Sequence, residues 1–259
     1  MLAWMLLLLA CTAGTIALGD SAKGGHATDA DADTDADYDT DADTDADSDT
    51  DTDSSSTVSG ALRLLDSHDG SAVGDVDIVL DGDSWETDKG GVAQVELPPS
   101  ASVVLTVDDA DWMPADLWLA TDATEGWTGE WYMGNSVIVG SYARAYGAGY
   151  DATLADIAVF VLTSDGKGDW VPVEGAEVDL DVAYDYVITN HGKGVRASNE
   201  VEADGMGMVW FGGVTPGSAT VTVTPPKGYT CGLAPAASML PTLTASAGRL
   251  ASLRVVCTM

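Results

Sequence analysis

The side chains of this 259-residue chain that can do chemistry are scarce, except for carboxylates. Three histidines and three cysteines stand against 42 aspartates and glutamates. Most metallohydrolase, zinc-finger and cysteine-protease sites therefore lack the ligands or bases they need. The sequence contains no Gly-x-Ser-x-Gly elbow, no phosphate-binding glycine loop and no His-Glu-x-x-His motif. We predict no cofactor and no catalytic residue.

Two of the histidines lie in predicted turns. His68 stands beside Asp69 and Gly70, and His191 stands beside Gly192. Aspartate and glycine are favoured in turns for their backbone preferences, so these positions indicate turn structure rather than catalysis.

The acids give the chain a formal net charge of −32. From Thr57 onward, 28 acids and nine bases still leave a charge of −19. This charge repels anionic polymers, so we expect no nucleic-acid partner. The calcium candidates in the folded part are Asp108, Asp109 and Asp111, which offer loop oxygens but no rigid glycine turn. The alternative is a solvated acidic loop, and we predict no metal site.

The first cysteine follows an apolar run, Met1 to Leu9. The sequence Leu8-Leu9-Ala10-Cys11 resembles the bacterial lipobox, which implies a signal peptide over 1–10 and lipidation of Cys11. The alternatives are an uncleaved anchor over 1–18 and cleavage after Gly19. The resemblance implies attachment to a bacterial envelope through the lipid. Because Thr12 rather than aspartate follows Cys11, the outer membrane or the cell surface is favoured.

The other two cysteines are predicted to form a disulfide. If Cys11 carries lipid, Cys231 and Cys257 are the two remaining thiols, in a compartment where disulfides persist. The loop between them has few bulky residues to hold it. The alternative is a pair of buried free cysteines that pack as small apolar residues.

An aspartate tract precedes the folded part. Aspartate occupies every odd position from Asp29 to Asp53. Such composition buries nothing, so 11–56 is predicted to be a disordered, extended linker. Specific calcium loops are the alternative, but they need a glycine at the sixth position, and none occurs between Gly25 and Gly60.

From Thr57 the pattern changes to short alternating apolar runs separated by Gly, Pro and Asp, which is typical of antiparallel β-structure. The pattern repeats about one hundred residues later, where Val173 to Leu180 matches Val73 to Leu80. The second copy has an insertion, Tyr184 to Val201, predicted to be a hairpin that turns at His191 to Gly194 and projects from the sheet.

The ordered motifs of the second copy resemble the carboxypeptidase regulatory-like, or transthyretin-like, family. They are Val171-Pro172-Val173, Gly175-Ala176, Asp204-Gly205, Pro216-Gly217 and Pro225-Pro226-Lys227-Gly228-Tyr229. The resemblance implies non-catalytic β-sandwiches. We predict an all-β chain with two tandem Ig-like or prealbumin-like antiparallel sandwiches, over 57–127 and 153–259.

The segment 128–152 is predicted to connect the sandwiches, with a short helix capped by Asn135. Several aromatic residues lie in or near it: Trp112, Trp118, Trp127, Trp131 and Tyr132. Flat rings stack on sugar faces, so they can line a carbohydrate groove, or they can fill the core between the sandwiches.

These observations support two hypotheses. The first is a lipid-anchored, non-catalytic binding or structural module, with a protein or glycan ligand at the cell surface. The second is a secreted carbohydrate-active enzyme that uses acids of the aromatic segment.

Overall fold

The computed structural model describes residues 57–122, 126–167, 169–192 and 194–259, which fall within one compact unit. The strands of the first repeat in this described part are β1 (Val58–Asp66), β2 (Asp77–Leu80), β3 (Asp83–Glu86), β4 (Val92–Leu97), β5 (Ser102–Val107), β6 (Ala115–Ala120) and β7 (Trp127–Met133), followed by helix α1 (Ser136–Ala145). Those of the second are β8 (Ala155–Ser164), β9 (Trp170–Pro172), β10 (Glu177–Leu180), β11 (Tyr186–His191), β12 (Gly194–Arg196), β13 (Met208–Val214), β14 (Gly217–Thr224), β15 (Thr230–Leu233), β16 (Thr242–Ala245) and β17 (Leu250–Thr258).

The largest sheet has 11 strands and contains strands of both repeats. Its order is β12-β11-β13-β8-β17-β6-β5-β2-β3, with β15 beside β17 and β9 beside β8. The repeats meet where β6 and β17 pair in parallel, with Ala115 opposite Leu250. One sheet therefore runs through both predicted sandwiches.

Each face of this sheet carries its own hydrophobic core. Along β8, Phe160 belongs to one core and its neighbour Val159 to the other, because successive side chains point to opposite faces. The first core also contains β1, β4, β7 and α1 residues, and the second contains β10, β14 and β16 residues. The predicted all-β fold with two sandwiches is confirmed, and the sandwiches share their central sheet.

The predicted connecting segment differs from the structure at its start. Trp127 and Trp131 are buried and alternate with Thr128 and Glu130, which is the period of a strand, and β7 pairs in parallel with β1. Residues 128–133 thus complete the first sandwich. The helix follows, and the Oδ1 atom of Asn135 caps it by accepting the N–H of Val137 at 2.9 Å.

The predicted disulfide is confirmed. Cys231 on β15 and Cys257 on β17 are directly opposite each other in the antiparallel pair, and their Cα atoms lie 4.0 Å apart. The predicted signal peptide over 1–10, the predicted lipidation site Cys11 and the predicted linker over 11–56 lie outside the described residues. Within the described ranges, no helix has the length and apolar character to cross a bilayer.

Candidate functional site

The turn after β1 presents His68 and Asp69 to solvent. The Asp66 carboxylate accepts the N–H of His68 at 2.7 Å, and the Asp69 carboxylate accepts the N–H of Ser71 at 2.8 Å. Hydrogen bonds from Ser71 lower the pKa of Asp69, so this carboxylate remains an ionised acceptor at neutral pH. These bonds explain why an Asp-rich turn forms here.

Helix α1 lies between this turn and the hairpin of β11 and β12. Its Tyr142 hydroxyl is 3.3 Å from Nδ1 of His68, and burial raises the pKa of the phenol. One turn later, the Tyr146 hydroxyl donates to the carbonyl of Val195 at 3.0 Å. The helix therefore contacts both flanking elements through tyrosine hydroxyls.

The hairpin itself lies in the large sheet. It turns as predicted, with His191 opposite Gly194. The prediction that it projects from the sheet is wrong, because β11 pairs with β13 and buries Tyr186 and Ile188 in the first core. Those alternating apolar residues were the sequence signal for a sheet strand.

These three elements enclose a cleft of about 570 Å³. We call it the Asn190 cleft, and its lining residues are His68, Asp69, Tyr142, Asn190, Gly192, Gly194, Val195 and Met206. The sequence placed His68 and His191 in separate turns, and the structure brings those two turns to one cleft. The sequence did not indicate that Asn190 or Tyr142 lines a site. Asn190 lies at a strand end, and an asparagine there belongs to no recognisable motif.

Asn190 is the least satisfied polar side chain of this cleft. It is only 7% exposed, and its Oδ1 atom has no hydrogen-bond partner among the described residues. The preceding residue differs, since the buried Thr189 hydroxyl donates to the carbonyl of Met208 at 2.9 Å. A buried amide oxygen without a partner loses the hydrogen bonds that it makes to water in the unfolded chain.

A second polar cluster lies on the hairpin. The Nδ1 atom of His191 is 3.3 Å from a carboxylate oxygen of Asp204 and 3.9 Å from one of Glu202. One possible metal-ligand atom from each of the three residues lies within 4.8 Å of the other two. Imidazole and carboxylates are metal-ligand types. However, Arg196 pairs with the other carboxylate oxygen of Glu202. Arg196 therefore already offsets the charge of one of the two carboxylates in this cluster.

The three calcium candidates lie on the loop after β5. Asp108 accepts a hydrogen bond from Nη1 of Arg249 at 2.5 Å, and Asp109 accepts the N–H of Asp111 at 2.8 Å. A calcium ion would therefore have to compete with the guanidinium of Arg249 for the Asp108 carboxylate. The geometry gives this loop a role in joining the repeats.

The aromatic segment does not form a carbohydrate groove. Trp127, Trp131 and Tyr132 are buried in the first core, where Tyr132 stacks on Phe160 with 4.1 Å between ring centroids. Trp112 and Trp118 are half-buried and pack against the cores. The Asn190 cleft is lined by none of these five residues. These rings thus fill core space, as the alternative predicted, but the three buried ones lie within the first core rather than between the sandwiches.

A smaller cleft of about 280 Å³ lies beside Arg63, Glu130 and Trp170. Close to Trp170 is Arg254, whose guanidinium carbon lies 4.1 Å from the centroid of that ring. Arg254 is 1% exposed, and its Nε and Nη2 atoms lack partners among the described residues. Burial lowers its pKa.

No family model matches the chain, and no curated protein matches it in sequence. Solved structures with some likeness include the Bacillus anthracis TIE protein, at 13% identity and a TM-score of 0.24, over 77% of this chain and 33% of that one. The chain thus spans about a third of the TIE protein's length.

Two pilins show a similar degree of likeness. The shaft pilin SpaA from Lactobacillus rhamnosus GG has 12% identity and a TM-score of 0.25, over 78% of this chain and 98% of that one. GBS52, the minor pilin of Streptococcus agalactiae, has 11% identity and a TM-score of 0.26, over 78% and 97%. Because these superpositions are so limited, the fold assignment rests on the strand pairings alone.

Proposed function

We propose that this chain is a lipid-anchored, extracytoplasmic binding module that holds a small polar ligand in the Asn190 cleft and catalyses no reaction. The observation that carries the proposal is the cleft itself, whose lining combines a buried asparagine, with an Oδ1 atom unpartnered among the residues described, and a tyrosine, a histidine and a carboxylate. Its volume falls within the range of small-molecule sites.

The lining supports binding rather than catalysis. Its residues include one imidazole and one carboxylate, and no serine, threonine or cysteine nucleophile. His68 has the Tyr142 hydroxyl as its neighbour, and one Asp69 oxygen accepts a backbone N–H. The lining therefore does not form the serine or cysteine nucleophile, base and orienting acid of an acyl-transfer triad.

The extracytoplasmic location has support from two features. The sequence Leu8-Leu9-Ala10-Cys11 resembles a lipobox, and Cys231 bonds to Cys257. Disulfides persist mainly outside the reducing cytoplasm. Lipidation attaches the chain to the membrane, and the linker over 11–56 then serves as an acidic spacer of up to roughly 80 Å over its aspartate tract.

The anchor is tested by metabolic labelling with a fatty-acid analogue in a bacterial host. We expect label on the natural chain and none on Cys11→Ser, which should also keep its signal peptide. The matched control is a Cys231→Ser and Cys257→Ser double variant, which retains Cys11. Equal labelling of the Cys11→Ser variant would overturn the anchor.

The cleft is tested by backbone NMR of the full chain with four probes: galactose, putrescine, citrate and tri-alanine. We expect at least one probe to shift the amide signals of Asn190, Gly192, Gly194 and Val195 in a saturable way. If neither these probes nor maltose shifts them, the proposed binding function fails.

A further inference from the structure

The amide of Asn190 indicates what kind of ligand the cleft accepts. It is more than nine-tenths buried, lines the cleft and has no partner for its Oδ1 atom in the described part of the chain. An amide side chain has both a carbonyl acceptor and two N–H donors. The unpartnered atom is the acceptor, so a ligand that satisfies it must donate a hydrogen bond.

The backbone of the turn before β13 packs closely against Asn190. A Cβ atom on Gly205 would lie 2.6 Å from the carbonyl oxygen of Asn190 and 2.8 Å from its Cβ atom. Gly205 thus packs directly on the backbone of Asn190. This packing restrains the backbone at the strand end that carries the amide.

The remaining polar groups of the cleft also combine donors and acceptors. The Asp69 carboxylate only accepts, whereas the imidazole of His68 and the hydroxyl of Tyr142 can each do either. An anion is bound by donors and favours arginine or lysine, neither of which is among the lining residues. An ammonium ion favours several carboxylates or an aromatic cage, and the lining has one carboxylate and one aromatic ring besides His68.

Hydroxyl groups match such a mixed lining, because each of them donates one hydrogen bond and accepts others. The Tyr142 ring, Val195 and Met206 add apolar surface. Sugars have apolar C–H faces as well as hydroxyls, and an aromatic ring can stack on such a face. Resting on the proposed binding function, we infer that the Asn190 cleft binds an uncharged, hydroxyl-rich ligand of mono- or disaccharide size.

The test measures affinity and stability together on Asn190→Leu, which keeps the side-chain volume and removes the amide. Galactose and maltose are titrated into the full chain, followed by NMR. We expect the natural chain to bind at least one of them. Asn190→Leu should bind that sugar with an affinity lower by about tenfold or more, because one lost hydrogen bond of a buried group has that effect. Tyr142→Phe, which keeps the ring, should weaken binding less.

Stability separates a ligand-binding amide from a structural one. Because the Oδ1 atom has no protein partner within the described ranges, it adds no hydrogen bond to the fold there, so Asn190→Leu should unfold at the same temperature as the natural chain or higher. Asn199→Leu is the matched control: its Nδ2 atom donates to Asp179 outside the cleft, and it should bind the sugar normally. A lower unfolding temperature with unchanged sugar affinity for Asn190→Leu would overturn the inference.

The two proposals fail in distinguishable ways. If putrescine, citrate or tri-alanine shifts the cleft signals and neither sugar does, the cleft binds a ligand but the inferred class is wrong. If none of the five compounds shifts them, the binding function itself is wrong, and the inference fails with it.

Discussion

The Nε atom of Arg249 donates to the Oδ1 atom of Asp116 over 2.8 Å, and this bond joins the two repeats. The same guanidinium donates to Asp108 at 2.5 Å and to the carbonyl of Ala115 at 3.0 Å. Arg249 immediately precedes β17, and Asp116 lies in β6. The bonds therefore lie where the parallel pairing of the two repeats begins, next to the contact between Leu250 and Ala115.

Arg249→Ala should destabilise the fold by about 1.5–3 kcal/mol, because it leaves the largely buried Asp116 carboxylate without its charged donor. Urea unfolding of the full chain measures the loss. Arg63→Ala is the matched control: it removes an exposed ion pair with Glu130 and should cost less than about 1 kcal/mol. Equal losses of unfolding free energy in the two variants would mean that the Arg249 bonds stabilise the fold no more than an exposed ion pair does.

The disulfide should stabilise the end of the second repeat. Cys231 and Cys257 are separated by 26 positions. Closing a loop of that size lowers the entropy of the unfolded chain, which stabilises the fold by about 3.5 kcal/mol. We expect dithiothreitol to lower the unfolding midpoint of the natural chain. A double variant, Cys231→Ala and Cys257→Ala, should be unaffected by the reductant. Alkylation of both thiols in the unreduced, denatured chain would contradict the bond.

A buried carboxyl makes stability depend on pH in an unusual direction. Asp156 lies in β8, and burial raises its pKa to about 6, although the indole N–H of Trp210 donates to it at 3.0 Å. In the unfolded chain its pKa is near the ordinary 3.8. Between these values the folded state binds the proton more tightly, so this residue's contribution to stability rises as the pH falls from 6 towards 4.

Asp156→Asn removes this titration and keeps an oxygen that can accept from Trp210. The free energy of unfolding of the natural chain minus that of the variant should increase by roughly 2–3 kcal/mol from pH 7 to pH 4. The subtraction cancels the titration of the many exposed acids. A difference that does not change with pH would show that Asp156 titrates normally in the fold.

The strands were predictable where a local period marked them, and the sharing of the sheet was not. Alternation over Val76, Ile78 and Leu80 indicated one buried face, and Ile78 is fully buried. By contrast, β8 is buried on both faces from Ala155 to Leu162, so apart from Asp156 it is an apolar run without alternation. Nothing local in such a run specifies the parallel neighbour that β17 provides.

The cleft was less accessible to sequence analysis than the fold. The turns at His68 and His191 were predicted individually from their aspartate and glycine neighbours. Their proximity depends on Tyr146, whose hydroxyl contacts the backbone of Val195, 49 positions away in the sequence. A contact to a backbone carbonyl requires no particular side chain at the acceptor, so the sequence carries no signal for it.

Arg254 is a charged side chain in a buried position, and burial disfavours the charged form. Stacking on Trp170 contributes about 2 kcal/mol, whereas removing a guanidinium from water costs several kcal/mol and two of its nitrogens have no partner in the described residues. Arg254→Met keeps most of the packing volume and removes the charge. We expect it to stabilise the fold by about 1–3 kcal/mol in urea unfolding.

Arg254→Ala separates charge from packing in the same experiment. It also removes the charge, but it leaves a cavity beside Trp131 and Trp170, so it should be less stable than Arg254→Met by about 2 kcal/mol or more. If both variants are less stable than the natural chain by similar amounts, the guanidinium itself holds this region together. In that case the stacking on Trp170 outweighs the cost of burying the charge.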